Sequence, residues 1–326
     1  MNTTLFETTF AGLSLPTPII IGSSGLTDSV EKNKELEKAG AGALVLKSLF
    51  EEQISKDSAS LLLEGNAKQS NESILNYFKT NEVTHYLQLI QQTKESCRIP
   101  VIASINCYKD DSWVDFAHQI EMAGADAIEL NLLALNACLN KDVRCLGQDY
   151  IYITQKVKEA VRIPVIVKFG KYFSHIVSLV DQMYEAGASG VVLFNRFYQP
   201  DIDIHHLQIT SGDVFSTPTD ISDTLRWTGI VSGLLPHVPI ASATGVHDWE
   251  AVVKCILSGA SVVQICSTVY QNGNEIISQM LRSMEEWTHS MNFKSLNEFR
   301  GKLNYTHENI SLYERIQFMK YYSNRD

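Results

Sequence analysis

The sequence predicts an α/β fold, a (β/α)8 TIM barrel with an N-terminal hairpin and a C-terminal helical tail, because two patterns repeat along it. In the first pattern, Gly-Ala precedes a short apolar run. Glycine suits the left-handed residue at a helix end, and a continuous apolar run is typical of a parallel strand buried on both faces. The pattern occurs at Gly40, Gly124, Gly187 and Gly259.

In the second pattern, proline opens an apolar run, in Arg-Ile-Pro-Val-Ile at residues 98–102 and 162–166 and in His-Val-Pro-Ile-Ala at 237–241. Proline has no N–H group and therefore suits the first residue of a strand. Apolar residues recur at helical spacing over 115–122, 151–161, 176–186 and 249–257. Strand and helix thus alternate, and eight such units in about 250 residues predict a (β/α)8 barrel.

The eight predicted strands span residues 18–22, 43–46, 101–104, 127–131, 165–168, 190–195, 239–243 and 262–266, and a hairpin over 5–15 precedes them. An open, doubly wound sheet is the alternative. It needs a glycine-rich turn after its first strand, and Gly22-Ser23-Ser24-Gly25 matches that turn weakly. The barrel is therefore favoured.

We expect residues 1–326 to form a single domain, with the barrel core over about residues 16–275 and a helical extension over 276–326. Two long insertions, 51–80 and 198–222, follow the second and sixth strands. Loops at the carboxyl ends of barrel strands build the active site, so we interpret both insertions as lids or substrate walls. Solvated embellishments are the alternative.

Composition and charge exclude several classes of partner. The chain has 27 Lys and Arg against 37 Asp and Glu, a net charge of −10, which disfavours nucleic acid and anionic membranes. Its six cysteines form no Cys-x-x-Cys pair, which indicates a reducing compartment. No apolar run approaches the roughly 20 residues of a membrane span, and the N-terminus does not resemble a signal peptide. We expect a cytoplasmic protein.

Polar residues stand at the carboxyl ends of the predicted strands, where a barrel gathers them around one pocket. Burying lysines and asparagines is costly unless they meet a ligand or each other, so the set as a whole indicates a functional site. For any single member, the alternative is that it marks the exit of its strand into water. The set comprises Ser23, Ser24, Lys47, Ser48, Ser104, Asn106, Asn131, Lys168, Asn195, Thr244, Gly245 and Ser267.

The chemistry of this set narrows the ligand. Asparagines offer paired donors and acceptors that suit a planar ring bearing amides and carbonyls, whereas paired acidic residues are missing, which disfavours a metal site. The turns at 242–245 and 266–268 offer backbone N–H groups where barrels commonly bind phosphate. Lys47 and Lys168 could stabilise negative charge on a reduced or enolised heterocycle.

Five features carry a resemblance to a known family: Glu129-Leu130-Asn131-Leu132, Lys47-Ser48, residues 163–168, Asn195, and the closing run 259–270. Together they look like the dihydroorotate dehydrogenase family of the soluble, cytosolic kind, over about residues 5–275. Residues 101–107 are also similar to the flavin barrel of dihydropyrimidine dehydrogenase, a relative. The resemblance implies an FMN-binding barrel that transfers hydride to or from a pyrimidine-like ring.

The resemblance also implies roles for individual residues. It implies catalytic, charge-stabilising roles for Lys47 and Lys168, with Lys168 near the N1 side of the flavin ring. It implies FMN contacts from Ser23, Lys47, Ser48, Ser104, Asn131, Lys168, Thr244, Gly245, Cys266 and Ser267. It implies substrate contacts from Asn106, Asn131 and Asn195.

The chain departs from the family's pattern at the catalytic base. The family follows Glu-Leu-Asn-Leu with Ser-Cys-Pro-Asn, whose cysteine is the base, and this chain has Ala134 at that position. Alanine cannot act as a base. Cys138 could reach the site from a mobile loop, and a buried free thiol is the alternative. The phosphate turns differ too, because Thr244 and Cys266 stand where the family has glycine.

The segment 193–203 resembles a divergent branch of dihydroorotate dehydrogenase-like proteins. Arg196 in this segment could hold a substrate carboxylate bidentately, and a packed loop with an internal Arg–Asp pair is the alternative.

We therefore expect an FMN-dependent oxidoreductase that oxidises dihydroorotate to orotate in pyrimidine biosynthesis. Because of Ala134, two alternatives stay open: an FMN barrel that acts on a different heterocycle, and a non-redox barrel that binds a phosphate or nucleotide. A homodimer is possible. The sequence has no iron–sulfur cysteine cluster, so fumarate, nicotinamide or another protein would accept the electrons.

Overall fold

The computed structural model describes residues 3–50, 71–106, 110–133, 147–197 and 199–306. The strands in this part of the chain are β1 Thr8–Phe10, β2 Leu13–Leu15, β3 Ile19–Ile21, β4 Ala43–Val45, β5 Leu49–Phe50, β6 Val101–Asn106, β7 Ala127–Leu132, β8 Val165–Gly170, β9 Gly190–Asn195, β10 Pro200–Asp203, β11 Gln208–Ser211, β12 Ile240–Ala243 and β13 Val262–Ile265.

The α-helices of the same residues are α1 Thr3–Phe6, α2 Val30–Ala39, α3 Asn71–Ser96, α4 Asp110–Met122, α5 Gln148–Ala160, α6 Ile176–Glu185, α7 Ile221–Leu234, α8 Trp249–Leu257, α9 Ser267–Asn272 and α10 Glu275–Ser290. None of these helices is long and apolar enough to cross a membrane.

The main sheet closes into a barrel. Strands β3, β4, β6, β7, β8, β9, β12 and β13 pair in that order, and β13 pairs back to β3. Every one of these pairs is parallel, and β5 continues the line of β4 against β6. The predicted (β/α)8 barrel is confirmed, and each predicted strand coincides with a barrel strand to within a few residues.

Both Arg-Ile-Pro segments make the same hydrogen bonds at their strand entries. The Glu37 carboxylate in α2 accepts from the N–H groups of Arg98 at 2.7 Å and Ile99 at 3.2 Å. Glu121 in α4 binds the corresponding N–H groups before β8, at 2.8 and 3.1 Å. An acid on one helix thus satisfies the donors that precede the proline and fixes the entry into the strand after the next helix.

The structure revises both predicted insertions. Residues 51–70 lie outside the described part, and α3 begins at Asn71, so residues 71–80 are helical rather than loop. This stretch contains neither Gly nor Pro, and nothing in it breaks a helix. In the second insertion, Tyr198 lies outside the described residues, the antiparallel pair β10–β11 forms a hairpin, and α7 already begins at Ile221.

Helix α10 completes the ring of helices around the barrel. Its buried residues Ile277 and Leu281 pack in one cluster with Leu36 of α2 and Ile256 of α8. Gly40 ends α2 with φ +107°, and a Cβ there would lie 2.8 Å from Leu281 Cδ1. The predicted tail therefore begins with a barrel helix rather than an appendage. Residues 307–326 of the predicted extension lie outside the described part, and the division of the chain into domains stays a prediction.

Apolar side chains fill the barrel interior, and the β1–β2 hairpin closes its amino end. A Cβ on Gly190, the first residue of β9, would lie 3.0 Å from Phe10 Cε2, so the hairpin packs directly against the strand entries. Thr8 Oγ1 donates to the carbonyl of Ser261 at 3.1 Å, just before β13. The interior cluster comprises Phe10, Ala11, Leu15, Ile20, Ala43, Val45, Ile102, Ala127, Ile166, Val192, Ala241, Ala243 and Val262.

Removing the Phe10 ring should destabilise the whole barrel. Because Phe10 is 1% exposed, Phe10→Ala leaves a cavity under the barrel interior, and we expect a loss of about 3–5 kcal/mol in the free energy of unfolding. Urea denaturation followed by circular dichroism measures it. Thr9→Ala on the exposed face of β1 is the matched control. Equal losses in the two variants would contradict a packing role for the hairpin.

Candidate active site

A pocket of about 180 Å³ opens at the carboxyl ends of the barrel strands. Eight of the site residues predicted from the sequence line it: Ser23, Lys168, Asn195, Arg196, Thr244, Gly245, Cys266 and Ser267. The remaining lining residues are Phe194, Val214, Ser216, Ala243, Val246, Gln264, Ile265 and Thr268. The pocket therefore lies at the face where barrels carry their chemistry.

A charged layer forms the floor of this pocket. Lys168 Nζ donates to Gln264 Oε1 at 2.9 Å and lies 3.8 Å from Glu129 Oε1. Gln264 Nε2 donates to Glu129 Oε2 at 2.6 Å. Lys168 and Gln264 line the pocket, whereas Glu129 is completely buried beneath them. We call these three residues the floor triad.

Strand alternation explains why the floor triad lies inside the barrel. Residues two apart on a strand face the same side, so Glu129, Lys168 and Gln264 follow the interior residues Ala127, Ile166 and Val262. The layer directly below the triad is therefore apolar. In such surroundings, the mutual attraction of Lys168 and Glu129 must offset the large cost of removing both charges from water.

Hydroxyl groups join three strands beside the triad. Ser48 Oγ lies 2.9 Å from Ser23 Oγ and 2.7 Å from Ser104 Oγ. Between β4 and β5 the second barrel strand is interrupted, and the Tyr86 hydroxyl of α3 takes over its bonds, accepting from Ser104 N at 2.8 Å and donating to Ser104 O at 3.0 Å. Burial raises the pKa of Tyr86, so the hydroxyl keeps its proton.

Two of the predicted asparagines meet at the edge of the triad. Asn195 Nδ2 donates to Asn131 Oδ1 at 2.5 Å, and Asn131 pairs in register with Lys168 across β7 and β8. Each asparagine amide has two N–H donors and an oxygen that can accept two hydrogen bonds. The bond between them uses one donor of Asn195 and one acceptor position of Asn131. The pair therefore retains donors and acceptors for a ligand.

The turn after β12 has an unusual backbone. Thr244 has φ +73° and Gly245 has φ +85°, and a Cβ on Gly245 would lie 2.1 Å from Ile221 N. Positive φ is rare for a β-branched residue and is often associated with function. Thr244 Oγ1 donates to Phe194 O at 2.9 Å, and Thr224 Oγ1 donates to Thr244 O at 3.1 Å. The turn thus keeps a glycine-like backbone at the place where the sequence departs from the family's glycine.

The neighbouring turn after β13 leads into the short helix α9. Ser267 is its first residue, and the first N–H groups of a helix have no acceptor within it. Burial raises the pKa of the Cys266 thiol, although Lys168 acts in the opposite direction. The thiol is therefore protonated and a poor nucleophile at neutral pH.

Residues 213–216, here called the wall segment, close one side of the pocket. Arg196 Nη1 donates to the carbonyls of Asp213 at 2.5 Å and Val214 at 2.6 Å. Ser216 N donates to Ser267 Oγ at 3.0 Å, and Ser216 Oγ lies 3.0 Å from His247 Nε2. Arg196 thus binds main-chain carbonyls of its own loop rather than an Asp carboxylate, and Val214 and Ser216 line the pocket as a wall.

A model of the family described as dihydroorotate dehydrogenase matches residues 5–287. The chain belongs to the dihydroorotate dehydrogenase family. The family predicted from the sequence is thereby confirmed, and its named members are oxidoreductases that act on a CH–CH bond.

Individual dihydroorotate dehydrogenases are distant relatives. The chain is 29% identical over 222 residues to a protein of Aeropyrum pernix provisionally named dihydroorotate dehydrogenase A (fumarate), covering 66% of this chain and 71% of that one. It is 27% identical over 298 residues to the catalytic subunit of dihydroorotate dehydrogenase B (NAD(+)) of Pyrococcus furiosus, covering 89% and 96%. For the same subunit of Thermoplasma volcanium, identity is 25% over 307 residues, covering 90% and 97%.

Some predicted site residues lie apart from the pocket. The Lys47 side chain is exposed and is not part of the pocket lining, because the strand interruption at 46–48 ends the alternation that would turn it inward. Asn106 is partly buried at the end of β6, opposite Phe50. Ala134 and Cys138 lie outside the described residues.

The sequence does not predict roles for Glu129, Gln264 or Tyr86, whereas the wall segment falls within the insertion 198–222, for which the sequence predicts a lid or substrate wall. Glu129 and Gln264 lie within apolar strands rather than at strand ends, where the sequence predicts the site. Their signal was present: each is a polar residue two positions beyond an inward apolar one, in step with Lys168. Tyr86 and Ser216 gave no such signal, because their contacts depend on tertiary structure.

The His247 contact to the wall segment predicts a pH dependence. Burial lowers the pKa of His247 below its ordinary value of 6.5, against the opposing effect of Asp248 and Asp220. As the pH falls through that value the unfolded chain takes up a proton that the folded one does not, so stability contributed by neutral His247 is lost toward lower pH.

We expect the stability advantage of the native chain over His247→Gln to shrink between neutral pH and about pH 5. Urea unfolding of both proteins at the two pH values measures this difference. His289→Gln, which removes an imidazole from an exposed position of α10, is the matched control. A difference that is independent of pH would contradict the buried, neutral state of His247.

Proposed function

We propose that this protein is an FMN-dependent oxidoreductase that oxidises dihydroorotate to orotate in pyrimidine biosynthesis. The single observation that carries the proposal is that Lys168 and Asn195 line one pocket of a dihydroorotate dehydrogenase barrel, with Asn131 bonded to Asn195 and in register with Lys168. The pair suits a ring with amide groups, and the lysine suits a ring that gains negative charge.

The residues present fit FMN. Lys168 and Ser23 line the part of the pocket toward the barrel axis, and a cation with neutral donors there suits an electron-rich ring. Gly245 and Ser267 line the same pocket at two turns suited to a phosphate. The positive φ of Thr244 supports this assignment, since the turn keeps its open backbone despite the Cβ. When bound, FMN would supply the hydride acceptor.

The protein's own residues would orient the substrate and control charge. Asn131 and Asn195 would bind its ring amides and carbonyls, while Ser48 and Ser104, joined by a hydrogen bond to each other, would support the neighbouring strand ends. Lys168 would stabilise negative charge as it develops. Arg196 would stay with the wall segment and present its remaining N–H groups to a substrate carboxylate.

A base must still remove the second hydrogen of the CH–CH bond as a proton. Cys138 is the candidate carried over from the sequence, because Ala134 has no acid–base group. Cys266 is unsuited to this role, since its pKa is raised by burial.

A second candidate function follows from Ala134. An FMN barrel without the family's cysteine could act on a different heterocycle, one whose oxidation or reduction needs another proton donor or acceptor. We place the protein in the cytoplasm and keep the homodimer as a proposal. The relatives' names refer to fumarate, to NAD(+) and to a catalytic subunit, so the electron acceptor of this chain could be a small oxidant or a further subunit.

Anaerobic addition of dihydroorotate to the FMN-loaded protein tests the proposal. We expect the visible flavin bands to bleach as orotate forms in equal amount. Flavin bands that persist would move the substrate to a different heterocycle. Failure of the purified protein to bind FMN would overturn the redox function altogether.

A charge placed at the phosphate turn should weaken FMN binding. Ser267→Asp sets a carboxylate against the phosphate, so we expect the Kd for FMN to rise at least about tenfold, or about 1.4 kcal/mol. Quenching of flavin fluorescence measures the Kd. Ser290→Asp adds the same charge at the exposed end of α10, outside the pocket lining, and should leave the Kd unchanged. Equal Kd values for Ser267→Asp and the native protein would contradict the phosphate assignment.

A further inference from the structure

Glu129 is a completely buried carboxylate that the proposed chemistry does not use. Its Oε2 accepts from Gln264, and among the described residues its Oε1 has no hydrogen-bond donor, only Lys168 Nζ at 3.8 Å. We propose that Glu129 is a positioning residue that acts through Gln264 on Lys168 and sets the charge of the pocket floor, and thereby the preference of the site for oxidised over reduced FMN. This inference rests on the proposed function.

The geometry fixes the direction of action. A carboxylate only accepts and an ammonium only donates, so Gln264 must turn its Nε2 to Glu129 and its Oε1 to Lys168, as observed at 2.6 and 2.9 Å. Glu129 therefore holds the amide in one orientation, and the amide holds the ammonium. Because Lys168 lines the pocket, a change in the charge of Glu129 is transmitted through Gln264 and Lys168 to a bound ligand.

Stability alone does not account for the arrangement. A buried ion pair is often replaced by well-packed apolar residues without loss of stability, and the layer directly beneath this pair consists of apolar residues. An acid without a full set of hydrogen bonds is a costly choice there. Glu129 would instead serve the site by offsetting the positive charge of Lys168 at the pocket floor.

The charge balance has a definite sign. With Glu129 ionised, the charges of Glu129 and Lys168 cancel and the floor triad has no net charge. A ligand in the pocket then experiences the ammonium group of Lys168 with the Glu129 carboxylate behind it, which weakens the positive field. Reduced FMN carries negative charge on its ring, so a floor with net positive charge would favour the reduced form. Glu129 thus weakens the hold of Lys168 on reduced FMN and eases release of electrons to an acceptor.

Glu129→Gln tests the inference, because it removes the charge and preserves the shape. The readout is the ratio of the affinities for reduced and oxidised FMN, obtained from the midpoint potentials of bound and free FMN, and it does not depend on turnover. We expect the ratio to rise at least about tenfold in Glu129→Gln. Glu129→Asp, which keeps the charge and shortens the side chain, should leave the ratio near the native value even if both affinities fall.

A fall of both affinities by the same factor in Glu129→Gln would overturn the inference and leave Glu129 with a structural role. If Glu129→Gln does not fold, the double variant Glu129→Gln, Lys168→Gln avoids an unpaired buried charge, and its ratio should fall below the native value. An unchanged ratio there would also overturn the inference. If the native protein binds FMN and neither variant changes the affinity ratio, only this inference is refuted. If the native protein does not bind FMN, the proposed function is refuted as well.

Discussion

The ion pair between Lys168 and Glu129 is the constraint on which the rest of the site depends. Two charges can lie inside a barrel only if each is held near the other and the amide between them cannot turn away. Gln264 meets the second condition from the opposite strand. The apolar layer and the β1–β2 hairpin close the amino end of the barrel beneath the triad, and the pocket lies on the other side of it.

Around this pair, each neighbouring element contributes a different kind of contact. The interrupted second strand brings Ser48 to Ser23 and Ser104, and Tyr86 satisfies the backbone groups that the interruption exposes. The turns after β12 and β13 bring backbone to the other side of the pocket. The wall segment, held by Arg196 and by Ser267, then covers that side. The charged and hydroxyl side chains on one side of the pocket suit a ring, and the backbone turns on the other side suit a phosphate.

The barrel could be predicted from the sequence because its signals are local. The Gly-Ala and proline patterns mark strand entries, and each corresponds to a cap or a hydrogen bond in the structure, such as Gly40 at the end of α2 and Glu37 before β6. The helix at Asn71 was missed because a polar loop and a polar helix start have similar compositions. The role of α10 in the ring was missed because only its packing against α2 and α8 reveals it.

The site was predictable in part for the same reason. Strand ends can be counted, so the sequence correctly places Lys168 and Asn195 at the pocket, with Asn131 bonded to Asn195. Lys47 lies away from the pocket because of a strand interruption that the sequence does not signal. The roles of Glu129 and Gln264 can be predicted only when the inward-facing register of three strands is known. The bond between Ser216 and His247 depends on a contact between two loops, which the sequence does not show.

The most direct test of the charged floor is a crystal structure of the complex with FMN. We expect Lys168 Nζ within about 3.2 Å of the flavin ring, with its bond to Gln264 intact and the phosphate at Gly245 and Ser267. A flavin ring bound elsewhere, or a Lys168 side chain turned away from the ring, would contradict the role assigned to the ion pair.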